Sequence, residues 1–303
     1  MSATANQLDH SLIITPYKGT FLGFTAILMW GMLPLLRLYA SALPPLQLAW
    51  ISFFIAAAVT WLLHGFQGQK ESLLQAVYKD GKALWAASFL LGAVAFYFAA
   101  LTQAPAAEVT LVTYMWPLGL SIAVHISACR LPGLQMCTGL LLAFAGAALA
   151  LLTGNEGKSL QGLSLGLFAG YALGLSSGLC WLGYSLMLRR IPQSFGLQAQ
   201  IFALAGIKAG ILHFLLETTA TTVSTAGLLS ALSIGIGPYG LAFICWGYGL
   251  CFGQTKILSA LCYSVPIIAT LLLILAGIEE WRSELAIAAL AVACGAWLAG
   301  NGQ

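Results

Sequence analysis

Charge is what this chain has least of. Lysine and arginine number 12, aspartate and glutamate 9, so 7% of the 303 residues are charged, against roughly 25% in a typical soluble protein. A water-facing surface cannot be built from so few charges. With 60% apolar residues and a mean hydropathy of +0.92, a soluble globular enzyme is excluded. Nine Trp, ten Tyr and fifteen Phe exclude a disordered chain. The net charge of +3 is too small and too diluted to imply a nucleic-acid partner. Metal and redox motifs are missing too. No two of the seven cysteines share a CxxC spacing, and no His or acidic residues cluster beside them, so no metal or other cofactor is expected. Cys137, Cys180, Cys245, Cys262 and Cys294 lie in apolar runs, and Cys129 and Cys251 at span ends; they read as small buried apolar residues. The first sixteen residues hold no basic segment followed by a cleavable apolar core, so the first helix is expected to stay. What remains is a polytopic, all-α membrane protein.

A span needs about 20 apolar residues. Ten are present, at 19–41, 45–64, 83–102, 107–128, 134–153, 165–188, 197–216, 228–250, 257–277 and 285–300. The longest polar connection, 65–82, predicts a short surface helix. Basic residues set the orientation. With the N-terminus inside, eight face the cytoplasm: Lys18, Lys70, Lys79, Lys82, Arg130, Arg189, Arg190 and Lys256. Arg37, Lys158 and Arg282 are left outside. Both termini are therefore expected in the cytoplasm, with residues 1–18 as a tail.

The two halves resemble each other. Gly23 and Trp30 recur as Gly174 and Trp181 at an offset of 151; Tyr114 and Pro117 recur as Tyr263 and Pro266 at 149. Gly146–Ala150 recurs as Gly295–Ala299 at the same offset of 149. Two repeats are expected, 19–153 and 165–300. Five spans is an odd number, so the second repeat enters the membrane inverted. Such repeats place a substrate site near the midplane between the halves.

Chemistry-bearing motifs are few. Gly162–Gly166 and Gly174–Gly178 match G-x-S-x-G, the pattern of a nucleophile elbow. However, Gly162, Gly166, Gly170, Gly174 and Gly178 fall at every fourth position, a ladder suited to close helix packing. The serine matches follow from the ladder. His10 is in the tail, His64 and His125 are near cytoplasmic ends, and His213 is in the outer half, so no histidine pairs with a serine. There is no HExxH, P-loop or carboxylate pair. An intramembrane serine hydrolase is thus the less favoured reading, and the chain is not expected to be an enzyme.

Aromatics are abundant away from the interfaces: Trp30, Tyr97, Tyr114, Trp116, Trp181, Tyr239, Trp246 and Tyr263. An indole N–H or phenol O–H at depth needs a partner. Either these rings pack between helices, or they line a central water-filled cavity. As a set they favour the cavity, which would suit a neutral or zwitterionic ligand with an apolar body. Pro117 and Pro266 break matched helices and suggest paired gating kinks, unless they are merely tolerated. Lys208 is the one formal charge deep in a span. It either meets a substrate carboxylate or snorkels. No Asp or Glu sits at the midplane, which favours facilitated or weakly coupled transport over acid-driven antiport.

The run Glu108-Val109-Thr110-Leu111-Val112-Thr113-Tyr114-Met115-Trp116-Pro117 resembles the EamA-type drug/metabolite transporter superfamily. It is most similar to the aromatic amino acid exporters of the YddG group. Span six is similar too, with Trp181 and Tyr184 before the basic turn Arg189-Arg190, as is span nine with Ser264-Val265-Pro266. Thr113 and Lys208 depart from that pattern. The resemblance implies two EamA-like repeats and export of aromatic and other neutral amino acids across the bacterial inner membrane by alternating access. It adds Tyr184 and Ser264 to the substrate cavity. A carrier of another small metabolite or of a cationic drug is the second reading. The implied partners are the small-molecule substrate and the lipid bilayer; the oligomeric state is left open, a monomer being compatible with the pattern.

Overall fold

A computed structural model describes residues 15–66, 81–129, 131–152 and 165–301. The expected surface helix falls largely on 67–80, outside the described residues. Ten helices among the described residues are long and apolar enough to cross a membrane. They are α1 Pro16–Tyr39, α2 Pro45–Phe66, α3 Lys82–Leu101, α4 Ala106–Ser127 and α5 Leu134–Leu152. The second half continues with α6 Leu165–Leu188, α7 Phe195–Leu216, α8 Thr225–Phe252, α9 Thr255–Leu275 and α10 Ser283–Asn301. Every expected span falls on one of them, within a few residues. No strand occurs among the described residues. Many large apolar side chains point outward, such as Phe214, Leu216, Leu290 and Trp297; in water this would be untenable, against lipid it costs nothing.

Proline decides where these helices break. Lacking an N–H, it frees the carbonyl four residues earlier and crowds it. Pro34 follows the break of α1 at Met32. Pro117 follows the break of α4 at Tyr114 and Met115. Pro266 follows a 3₁₀ turn, Cys262–Ser264, in α9. Pro238 lies within a π-helical segment of α8, Gly237–Leu241. The matched prolines of α4 and α9 thus do break their helices, and α1 and α8 add two breaks that have no counterpart in α6 and α3.

Packing is built from helix pairs. Helices α2 and α7 run antiparallel in a constant register: Gly196 against His64, Gly206 against Phe54, Gly210 against Trp50. At one end of this pair the Glu217 carboxylate accepts from the Leu46 N–H at 3.0 Å and the Gln47 N–H at 3.1 Å. It also contacts His213 Nδ1 at 2.9 Å. An anion at a helix N-terminus satisfies orphan donors and the helix dipole together. Helices α5 and α10 meet backbone to backbone, where a Cβ on Gly295 would lie 2.5 Å from the Gly139 carbonyl oxygen. They share a separate apolar cluster with α9. The main core joins α1, α2, α3, α4, α6, α7, α8 and part of α9 around a knot of aromatic rings.

The glycine ladder of α6 packs against α4 and the turn before it. Gly170 faces Ala104, Gly174 faces Val109, and a Cβ on Gly178 would lie 2.7 Å from the Thr113 carbonyl oxygen. That carbonyl is the one Pro117 frees, so the glycine makes room for it. Gly162 lies outside the described residues. Ser176 and Ser177 donate to the carbonyls of Ala172 and Ala93, at 2.8 and 2.7 Å. Their hydroxyls are thus engaged with backbone. The reading of the cysteines as buried needs correction: Cys262 is buried, but Cys129, Cys251 and Cys294 are exposed. A small apolar side chain costs little on a lipid-facing surface.

Candidate functional site

A cavity of about 550 Å³ occupies the centre of the bundle, within the range of small-molecule sites. Its floor is aromatic. Trp181 stacks on Phe243 with ring centroids 5.6 Å apart, and Trp30 lies 6.1 Å from Trp181 and 5.5 Å from Phe243. Trp116 adds a fourth ring, 6.4 Å from Trp181. The helix breaks put these rings there. The Trp30 indole N–H donates to the Pro238 carbonyl at 3.1 Å, so the break in α8 provides the partner that a buried indole needs.

The walls carry Tyr97, Tyr114, Tyr239 and Pro266. The Tyr97 and Thr110 hydroxyls share a hydrogen bond of 2.7 Å. Tyr97 lies four residues before the end of α3, nearer an interface than its sequence reading assumed. Tyr239, in the π segment, stacks on Phe53 at 4.8 Å. Thr113 also faces the cavity and donates to the Gly174 carbonyl at 3.0 Å.

Other expected site residues lie elsewhere. Trp246 is buried behind Trp30, its rings 5.3 Å away, and its N–H donates to Ser185 Oγ at 3.2 Å. Tyr184 is buried edge-on against Phe243. Both support the floor from beneath instead of facing the cavity. Tyr263 belongs to the α5–α10 cluster, edge-on to Phe144. Ser264 Oγ donates to the Leu261 carbonyl at 2.6 Å, closing the 3₁₀ turn. Pro117 is buried outside the lining, next to Trp116.

Lys208 does not face the cavity. Its Nζ donates to the Leu84 carbonyl at 3.1 Å and to Ser88 Oγ at 2.5 Å, near the start of α3. The stem runs back along α7 toward its N-terminal end, as a snorkelling lysine does. Lys208→Met is therefore expected to change the transport of every substrate alike, and by less than about threefold. Competition by an amino acid and by its amide, in wild type and variant, checks this; a selective loss of the amino acid would return Lys208 to the site.

The charge that does reach the cavity lies near the end of the expected first span, 19–41, among the basic residues expected on the outer side. Arg37, two turns beyond Trp30 on α1, lines the cavity, as does Glu279. They are the charged residues among the described lining. Glu279 lies 3.7 Å from Arg282 Nη2. The Arg37 guanidinium donates to the Ala40 carbonyl. The available signal was spacing: Arg37 follows Trp30 by seven residues inside the same expected span, which puts both on nearly one helix face.

From its floor the cavity extends toward the end of the bundle that holds Tyr39, Leu101 and Leu275. Below the floor, hydrogen bonds tie helix ends together. Tyr248 donates its hydroxyl to the Gln193 carbonyl at 3.1 Å, and Arg189 Nη1 donates to Thr255 Oγ1 at 2.7 Å. Gln193 Nε2 donates to the Leu188 carbonyl at 2.6 Å. A cavity that extends from an aromatic floor to one end of the bundle can hold a ligand with an apolar body and release it to that side. Among the described residues no group of three His, Cys, Asp or Glu side chains forms a metal site.

Known proteins share this arrangement. A profile of the EamA-like transporter family matches residues 17–152, the first five helices. The aromatic amino acid exporter YddG of Ancylobacter novellus is 33% identical over 93% of this chain and 96% of its own length. The aromatic amino acid exporter YddG of Escherichia coli K12 is 23% identical over 94% of this chain and 99% of its own. One solved crystal structure, 30% identical, superposes with a TM-score of 0.84 over 94% of this chain and 98% of the other.

Proposed function

The chain belongs to the EamA-like transporter family, and on that premise we propose that it exports aromatic and other neutral amino acids across a bacterial inner membrane. The observation that carries this reading is the cavity floor of Trp30, Trp116, Trp181 and Phe243. Flat apolar rings offer stacking to an aromatic side chain and close packing to an aliphatic one. The names of the relatives agree with that chemistry. The protein acts as a carrier and not as an enzyme. It works without cofactor or nucleic acid.

Transport proceeds by alternating access between two inverted repeats, 19–153 and 165–300. Helix pairing supports this: α2 packs on α7 and α5 on α10, each on its counterpart in the other half. Likewise α3 packs on α6, and α8 on α1, contacts that a two-fold axis in the membrane would exchange. The cavity then faces outward, with both termini in the cytoplasm. The breaks of α4 and α9 at Pro117 and Pro266 serve as the hinges. With no carboxylate at the floor, movement down the substrate gradient or weakly coupled to it follows.

Orientation has a direct test. Single cysteines placed at 158 and 282, in a cysteine-free background, are expected to react with a thiol probe confined to the periplasm. Cysteines at 79 and 190 are expected to be protected. The reverse pattern would turn the cavity mouth to the cytoplasm. The export itself is tested by efflux of labelled phenylalanine from preloaded cells, which should be faster with the chain than without it; equal rates would remove the proposal.

A further inference from the structure

The floor explains affinity for a ring but does not distinguish an amino acid from any aromatic amphiphile. The walls add that distinction. Arg37 lines the cavity half-buried. A guanidinium stays charged in proteins and offers five N–H donors in a planar fork. One of these is engaged by the Ala40 carbonyl. Among the described residues no carboxylate forms an ion pair with Arg37. Its electrostatic neighbours are Tyr239 and Glu217. The Glu217 carboxylate is already taken up by Leu46 N–H, Gln47 N–H and His213. Glu279 shares the lining but lies against Arg282, and a cation in a largely apolar cavity with no carboxylate in contact is costly unless something anionic meets it.

Position fits as well as charge. Arg37 follows Trp30 by seven residues on α1, about 10 Å of helical rise. That is comparable to the length of an aromatic amino acid from ring edge to carboxylate. A ring stacked on the floor would point its carboxylate along the wall toward Arg37, and the fork matches two carboxylate oxygens.

Resting on the proposed amino acid export, we infer that Arg37 reads the substrate's carboxylate and so restricts this site to carboxylate-bearing ligands. Cationic aromatic amphiphiles without a carboxylate are rejected by the same charge. The residue is therefore a specificity determinant, and the cationic-drug reading loses its support.

The test uses the purified full-length chain in liposomes, with counterflow of labelled L-phenylalanine. Competitors are unlabelled L-phenylalanine and L-phenylalaninamide, which keeps the ring and ammonium and lacks the carboxylate. In wild type the amino acid is expected to compete at least tenfold better than the amide. Equal competition in wild type overturns the inference without recourse to any variant. Arg37→Gln, which keeps a donor for Ala40, is expected to weaken phenylalanine by about ten- to a hundredfold and the amide by less than about threefold. Arg37→Lys, which keeps the cation, is expected to retain most of the preference. If Arg37 merely closes the end of α1, both ligands weaken together in Arg37→Gln, and the inference falls. No counterflow of any amino acid in wild type would instead bring down the export reading itself, and this inference with it.

Discussion

Trp30→Ala is expected to reduce aromatic amino acid transport by tenfold or more while the protein stays in the membrane. Trp30 touches Trp181, Phe243 and Trp246 and donates to Pro238. Its removal empties the floor and orphans the carbonyl that the π segment exposes. Truncating a packed tryptophan costs about 3–5 kcal/mol, and each aromatic pair adds about 0.5–1.5 kcal/mol beyond its area. Part of that loss falls on the fold and part on the ligand. Trp30→Phe separates the two: it keeps a ring for stacking and loses the N–H. Flux in Trp30→Phe should lie between wild type and Trp30→Ala. Membrane fractionation alongside flux checks the account. Unchanged flux in Trp30→Ala would take the ring out of the site, and loss of the protein from the membrane in both variants would make Trp30 a packing residue only.

The second large effect is expected at Gly178. The Thr113 carbonyl, freed by Pro117, presses against this glycine, and a Cβ there would lie 2.7 Å from it. Backbone on the far side cannot give way as a flexible side chain would. Overpacking costs about 1–3 kcal/mol, and here it would pry α6 from α4 beside the cavity. Gly178→Val should therefore inactivate at a clearly lower temperature in detergent and transport poorly. Gly65→Ala provides the contrast. Nothing among the described residues lies within 4 Å of its added Cβ, and alanine favours a helix by about 1 kcal/mol over glycine. That variant should be as heat-stable as wild type or more so. Equal thermal behaviour in Gly178→Val and wild type would contradict the close α4–α6 contact.

Depth along a helix was legible in the sequence, whereas rotation about its axis was not. An apolar run of about 20 residues needs no periodicity to declare a span, and all ten were found. The matched prolines declared two of the four breaks. Rotation is normally read from an amphipathic stripe, but a helix facing lipid on one side and core on the other is apolar all round. So Trp30 and Trp246 looked alike in the sequence, although one faces the cavity and the other lies behind it. The same held for Tyr239, on the wall, and Tyr263, in the α5–α10 cluster. Lys208 was given the right height, but a long flexible stem left its direction open, and it turned to Ser88. Arg37 falls within the expected first span, but as one of the few outside basic residues it was weighed for orientation and not for the site. Its place in the cavity lining shows this side chain turned inward.

The central claim is that the aromatic cavity carries amino acids. Purified chain reconstituted in liposomes loaded with unlabelled phenylalanine tests it most directly, by exchange against external labelled amino acids. Tryptophan, tyrosine and phenylalanine should accumulate well above protein-free liposomes, leucine and methionine less, and aspartate and lysine at background. No accumulation of any aromatic amino acid above protein-free liposomes, by wild-type protein that elutes as a single folded species, would contradict it.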